Sequence, residues 1–264
     1  MLNTEMRNPN TMHIDKMSSM EIAELMNREN MVSVMAVEKA MPQIAKAIDA
    51  AAEAIGNGGK MIYIGAGTSG RLGIQDAAEC PPTFGVEDWV VQGIIAGGRD
   101  RVFKAGENAE DFYENGVNDV KDILKAGDVL VGISAAGGAQ YVIGALEAAK
   151  KLGCTTVALT NNPDVAITKV ADIAIVCDTG AEAITGSTRL KAGTAQKLIL
   201  NMLSTGAMIR RGYVYENLMI NLKPTNTKLR TRVISIVSDI TGESMEQAEA
   251  RLEANDWNIK EAVK

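Results

Sequence analysis

Five short apolar runs limit what this chain can fold into: MIYIG (61–65), VVQGII (90–95), DVLVGIS (128–134), TTVALT (155–160) and ADIAIVC (171–177). They are rich in Val and Ile and nearly unbroken by polar residues, as strands covered on both faces are. Segments of helical periodicity separate the first four runs, which is the βαβ signature of a parallel sheet. Runs of this length also occur as buried helix segments, so the strand reading rests on the alternation with helices.

Helical patterns flank the runs. Ser18-Ser-Met-Glu21 has the form of a capping box, opening a helix through about Asn27. Residues 31–56 show Ile44, Ile48 and Ile55 close to one face, with Pro42 starting or kinking the second part and Gly56-Asn-Gly-Gly59 stopping it. Further helices are expected over about 188–209 and 228–240, and Thr241-Gly-Glu-Ser244 caps a small tail running to Lys264. The expected architecture is α/β, a three-layer α/β/α domain with a five-stranded parallel sheet over 59–224. A helical extension over 1–58 precedes it and a helical tail over 225–264 follows.

Charge and residue usage remove several function classes. A net charge of -6 and a pI near 5.1 supply no basic field for nucleic acid or for an anionic membrane. Cys80, Cys154 and Cys177 lie far apart without a CxxC, suggesting neither a disulfide framework nor a zinc site, and the expected compartment is the cytoplasm. MLNTEMRNPNTMHID has no apolar signal-peptide core, and no run reaches the roughly 18 apolar residues of a membrane span. His13 is the single histidine, which excludes His-cluster metal sites and leaves proton transfer to carboxylates, Lys, Tyr or Cys.

The first run passes into Gly65-x-Gly67-x-x-Gly70. Between a strand and a helix, such a loop presents N–H groups and a positive helix end to an anion. A dinucleotide site would also want an acid about 20 residues on, at the tip of the second strand. That tip reads Ile95-Ala-Gly-Gly98, and Glu87 and Asp88 precede the strand instead. Thr68 and Ser69 add hydroxyls that suit a terminal phosphate monoester, although the same spacing also makes a plain strand-to-helix turn.

Longer stretches carry a resemblance. GAGTSGRLGIQDAAECPPTFG (65–85), AGENAED (105–111) and TGSTRLKAGTAQKLILNMLSTGAMIR (185–210) closely resemble the N-acetylmuramic acid 6-phosphate etherases of the sugar isomerase (SIS) domain superfamily. The likeness extends from Thr4-Glu5-x-Arg7-Asn8 to near Ala262, and glucokinase regulatory proteins share the signature. It implies a SIS-type core, no cofactor, no metal and a homodimer. The implied reaction, in cell-wall amino sugar recycling, is cleavage of the D-lactyl ether of N-acetylmuramic acid 6-phosphate to N-acetylglucosamine 6-phosphate and D-lactate. By matching motif, Glu79 and Glu110 correspond to the family's catalytic carboxylates; from the residues alone, each reads as an exposed helix charge, as do Glu107 and Asp111. The implied substrate-binding residues are Gly67, Thr68, Ser69, Ser134, Glu182 and Lys191. Ser134 reads equally as a strand-end residue, Glu182 as a helix-entry charge, and Arg189 and Lys191 as braces of the following helix.

The second ligand loop departs from the family. Where etherases usually carry a stretch like AASGRTPYV, this chain has Ser134-Ala-Ala-Gly-Gly-Ala-Gln140-Tyr-Val, with Ala136, Gly138 and Ala139 replacing Ser, Arg and Thr. Each lost contact to a charged ligand is worth about 1–3 kcal/mol. The same loop keeps open the alternative of a non-catalytic sugar-phosphate-binding regulator. ENLMIN (216–221) stands where etherases tend to have GNLMVD, and the family usually carries about one more helical hairpin after the last residues seen here.

Overall fold

The computed structural model describes every residue except Glu107, Lys223, Thr225 and Lys264. Three short 3₁₀ turns within residues 3–16 lead into α1 (Ser19–Lys39) and α2 (Met41–Gly56). The capping box is present: Ser18 Oγ accepts from the Glu21 N–H, and the Glu21 carboxylate accepts from the Ser18 N–H. The helix does not stop near Asn27 as expected. No Gly or Pro interrupts residues 28–39, so α1 runs on to the turn at Ala40, and Pro42 sits in the first turn of α2, where its missing N–H costs nothing.

The remaining elements are β1 (Met61–Gly65), α3 (Gly67–Phe84), β2 (Val91–Ile95), α4 (Tyr113–Lys121), β3 (Val129–Ile133), α5 (Gln140–Lys151), β4 (Thr155–Thr160), α6 (Ala166–Val170), β5 (Ile173–Val176), α7 (Lys191–Arg210), β6 (Val214–Tyr215), β7 (Leu218–Met219), α8 (Thr227–Thr241), α9 (Met245–Ala254) and α10 (Ile259–Ala262). Each of the five apolar runs contains one strand of a single parallel sheet, in the order β2-β1-β3-β4-β5. The pleat sends Met61 and Tyr63 of β1 into a core shared with α2, α3 and α7, and Ile62 and Ile64 into a second core with α4 and α5. β1 and β3 are neighbours, but the chain leaves β1 for the α3 face and β3 for the α5 face. Their C-terminal ends therefore flank a crevice at the point where the strand order reverses, the place where open α/β sheets bind ligands.

The β6–β7 hairpin, absent from the sequence reading, follows α7. Glu216 occupies its turn at φ 51, a conformation that suits glycine. Asn221 donates its side-chain N–H to the Phe84 carbonyl at 2.6 Å, tying the hairpin to the end of α3. The tail helices α8–α10 enclose an apolar cluster of their own, including Val233, Val237, Leu252 and Ile259. Ser244 caps α9, paired with Gln247 in a second capping box. Among the described residues, no helix is long and apolar enough to cross a membrane.

Candidate functional site

A cleft of about 510 Å³ opens at the crevice between β1 and β3. The glycine loop forms one wall, and each glycine has its own reason. A Cβ on Gly70 would lie 2.6 Å from the Gly65 carbonyl and 2.7 Å from Ile95, so α3 reaches the sheet only because that atom is missing. Gly67 has open space around it but adopts φ 53. Ala66, at the N-cap of α3, offers no side-chain cap, which leaves the first-turn N–H groups for a ligand. Thr68 is half-buried on this wall. Ser69 also lines it, but its hydroxyl donates to Gln196 Oε1 at 2.9 Å, and Gln196 in turn donates to Asn161. The Ser69 oxygen therefore meets a ligand as an acceptor, and the backbone supplies the donors.

The loop after β3 forms the opposite wall. Ser134 Oγ accepts from the Gly137 N–H at 3.1 Å, in a turn where Gly137 takes φ 73. Ala136 and Ala139 face the cleft, and Ala139 leaves the N-terminus of α5 without a side-chain cap, a second helix start beside the first. Nothing lies within 4 Å of a Cβ placed on Gly138. The loop is thus open where the family usually carries an arginine.

Glu110 enters from the segment between β2 and α4. Asn108 precedes it at φ 64, a left-handed conformation that Asn tolerates better than most residues, and Ala109–Asp111 form a single 3₁₀ turn. Two arginines of the cleft hold this segment in place. Arg71 donates to the Val102 and Lys104 carbonyls at 2.9 and 3.3 Å, and Arg101 to the Ala105 carbonyl at 3.2 Å. Glu107 lies outside the described residues, and Asp111 is exposed.

The cleft thus brings together Gly67, Thr68, Ser69, Ser134 and Glu110. Glu79 stands apart from it, exposed on α3 in a separate depression of about 130 Å³ with Gln75, Asp76, Lys197 and Asn201. Ten residues of helix put it roughly 15 Å from Ser69. Glu182 and Lys191 do not line the cleft either. Fully buried, Glu182 accepts from the N–H groups of Lys191 and Ala192, both at 2.9 Å, and so caps α7 from nine residues upstream. Burial pushes its carboxyl above the ordinary range, against the pull of those two N–H groups. Lys191, 3% exposed, donates to Glu29 at 2.6 Å. These contacts are those of a helix-entry charge for Glu182 and of a helix brace for Lys191, and the cap explains why α7 begins at Lys191 rather than near Thr188.

Five residues of the cleft escaped the sequence reading as ligand groups: Glu5, Arg71, Arg101, Asn108 and Thr188. Glu5, Arg71, Asn108 and Thr188 lie in or beside the stretches that carry the resemblance. The cleft-lining place of Arg101 depends on the path of a loop, for which sequence has no period to read.

Residues 43–150 match the family model of the glucokinase regulatory protein N-terminal SIS domain, and residues 101–206 that of the SIS domain. The chain is 51% identical over 261 residues to the N-acetylmuramic acid 6-phosphate etherase of Enterobacter sp. (strain 638), covering 98% of this chain and 88% of that one. It is 53% identical, over 98% of this chain and 85% of the other, to N-acetylmuramic acid 6-phosphate etherase 2 of Vibrio cholerae. Among solved structures, phosphoheptose isomerase GmhA from Neisseria gonorrhoeae superposes with a TM-score of 0.56 at 22% identity, covering 72% of this chain and 98% of that one. The Vibrio vulnificus NanR protein complexed with ManNAc-6P superposes with a TM-score of 0.52 at 15% identity, covering 87% and 72%. These two likenesses concern the fold alone. The etherase relationships, near half identity over almost every residue, mean that the chain belongs to the N-acetylmuramic acid 6-phosphate etherase family.

Proposed function

We propose that the protein cleaves the D-lactyl ether of N-acetylmuramic acid 6-phosphate, giving N-acetylglucosamine 6-phosphate and D-lactate. The observation that carries this reading is one cleft lined by Glu110 together with Ala66 and Ala139, the uncapped starts of α3 and α5. Its volume of about 510 Å³ suits a phosphorylated monosaccharide. The phosphate binds at the Thr68–Ser69 turn, where N–H groups converge and the helix dipole favours an anion. Arg71 and Arg101, which also line the cleft, add positive charge.

The chemistry needs two proton-transfer groups and no cofactor. Ring opening exposes an aldehyde at C1 and acidifies the C2 proton. One carboxylate removes that proton; the C2–H electron pair forms the C2–C3 double bond as the C3–O bond breaks, and a second carboxyl protonates the departing lactyl oxygen. Water then adds across the double bond, its hydroxyl to C3 and its proton to C2. Glu110 takes one role and Glu79 the other. Because Glu79 lies about 15 Å along α3 from the phosphate turn of its own chain, its role calls for a second copy. The reading therefore includes a homodimer in which one protomer's Glu79 faces the partner's cleft. Exposed Met31, Val34 and Met35 on α1 support an association, since neighbouring exposed apolar side chains mark contact surfaces.

Purified protein incubated with N-acetylmuramic acid 6-phosphate is expected to release D-lactate, with one solvent deuterium appearing at C2 of the sugar product when the reaction runs in heavy water. Failure to release lactate, with sugar-phosphate binding intact, overturns the reading.

A further inference from the structure

The residues ahead of α1 lie outside the α/β/α layers but are tied down at several points. Fully buried Thr4 donates its N–H to Asn162 Oδ1 at 3.3 Å, its hydroxyl accepts from Asn162 Nδ2 at 3.0 Å, and its carbonyl accepts from the Gly186 N–H at 3.3 Å. The same buried Asn162 amide donates to the Ala135 carbonyl at 2.9 Å, linking this strap to the cleft loop after β3. On either side, Asn3 donates to Asp178 at 2.8 Å, and Asn8 donates to Glu29 at 2.7 Å and to the Ala181 carbonyl at 3.1 Å. Between these anchors Glu5 lines the cleft. Its carboxylate rests over Gly186, where a Cβ would come within 2.9 Å of Oε2, and Gly186 also needs its freedom for φ 74. Among the described residues, no side chain pairs with the Glu5 carboxylate. A strap held by buried amides thus presents an unpaired acceptor to the cavity, on a glycine shelf that leaves room for it.

We infer that Glu5 is a specificity-determining residue, accepting hydrogen bonds from hydroxyl or acetamido N–H groups of a sugar whose phosphate lies at the helix N-termini. A carboxylate is the strongest acceptor for such donors. The choice of sugar rests on the etherase reading; the role of Glu5 does not depend on lactate release.

Calorimetric titration with N-acetylglucosamine 6-phosphate and, separately, with inorganic phosphate tests the assignment. Glu5→Gln is expected to weaken the sugar phosphate about tenfold or more while leaving inorganic phosphate within about twofold of wild type. Glu5→Asp, with the charge kept on a shorter stem, should recover part of the loss, and the melting temperature without ligand should stay unchanged. Equal weakening of both probes, unchanged sugar-phosphate binding in Glu5→Gln, or a lowered melting temperature of the unliganded variant overturns the inference. Wild-type protein that binds the sugar phosphate but releases no lactate overturns the etherase reading and leaves this comparison intact.

Discussion

Lys191 and Glu29 meet at 2.6 Å with almost no access to water. Desolvating both charges offsets much of their attraction, so the pair adds little net stability; removing one partner is another matter, because it strands the other charge in the interior. Glu29→Gln is expected to lower stability by about 3–5 kcal/mol, read from urea denaturation. Burial alone would raise the Glu29 pKa, but Lys191, Asn10 and Asn8 outweigh it and hold the carboxyl below its ordinary 4.5. A folded value below the unfolded one means that this stabilisation is full above about pH 4.5 and is lost as the pH falls through the folded value. The gap between wild type and Glu29→Gln should therefore narrow below pH 4.5, and a constant gap would show that the ion pair is not its source. Glu216 makes the opposite case. At φ 51 in the β6–β7 turn it bears the left-handed penalty that glycine avoids, so Glu216→Gly should raise stability by about 1 kcal/mol despite the extra freedom of the unfolded chain. A lower denaturation midpoint would mean that the side chain is held by more than its backbone.

Helix α3 and the loop after β3 set the cleft at the level of elements. The helix approaches the sheet through Gly70, and its first turn is left uncapped; the loop folds back through Gly137 and the Ser134 hydroxyl. Nothing lies within 4 Å of a Cβ placed on Gly138, and Ala136 and Ala139 line the cleft, so side chains restored at these positions begin on its wall. Ala136→Ser, Gly138→Arg and Ala139→Thr together are expected to raise kcat/KM for N-acetylmuramic acid 6-phosphate about tenfold, the equivalent of about 1.4 kcal/mol of recovered transition-state binding. No gain from the triple change would mean that Arg71 and Arg101, already in the cleft, supply the anion contacts.

At the scale of the whole molecule, the proposed division of proton transfer between Glu110 in the cleft and Glu79 in a separate depression makes catalysis a property of the proposed dimer. Glu79→Gln and Glu110→Gln are each expected to abolish lactate release while leaving the fold intact. Mixed in equal amounts after exchange of protomers, half of the dimers pair one variant with the other. Each such dimer has one cleft with both carboxylates and one with neither, so about a quarter of wild-type activity should return. Recovery of nothing, with exchange verified by native mass spectrometry, would place both proton transfers within one chain. Solution scattering should give twice the chain mass of 28.1 kDa.

The chain's own order of residues determined the layers. The near-continuous Val and Ile runs, read with the helical periods between them, point to doubly covered parallel strands, and Ser18 and Ser244 start their helices with local hydrogen bonds that need no distant partner. The glycine loop was legible for the same reason, since strand, turn and helix are contiguous and their geometry is local. What only the tertiary structure decided is which side chains remain for a ligand. Glu182 and Lys191 sit in a stretch that resembles a binding motif, yet α1 and the start of α7 close over them and take up their charges. Glu5, near the beginning of the chain, reaches the cleft because a buried amide from the end of β4 anchors its neighbour Thr4. Sequence carries the periodicity that builds an element; desolvation and pairing depend on what the fold brings alongside it, and for Lys191 and Thr4 those partners stand more than 150 residues away.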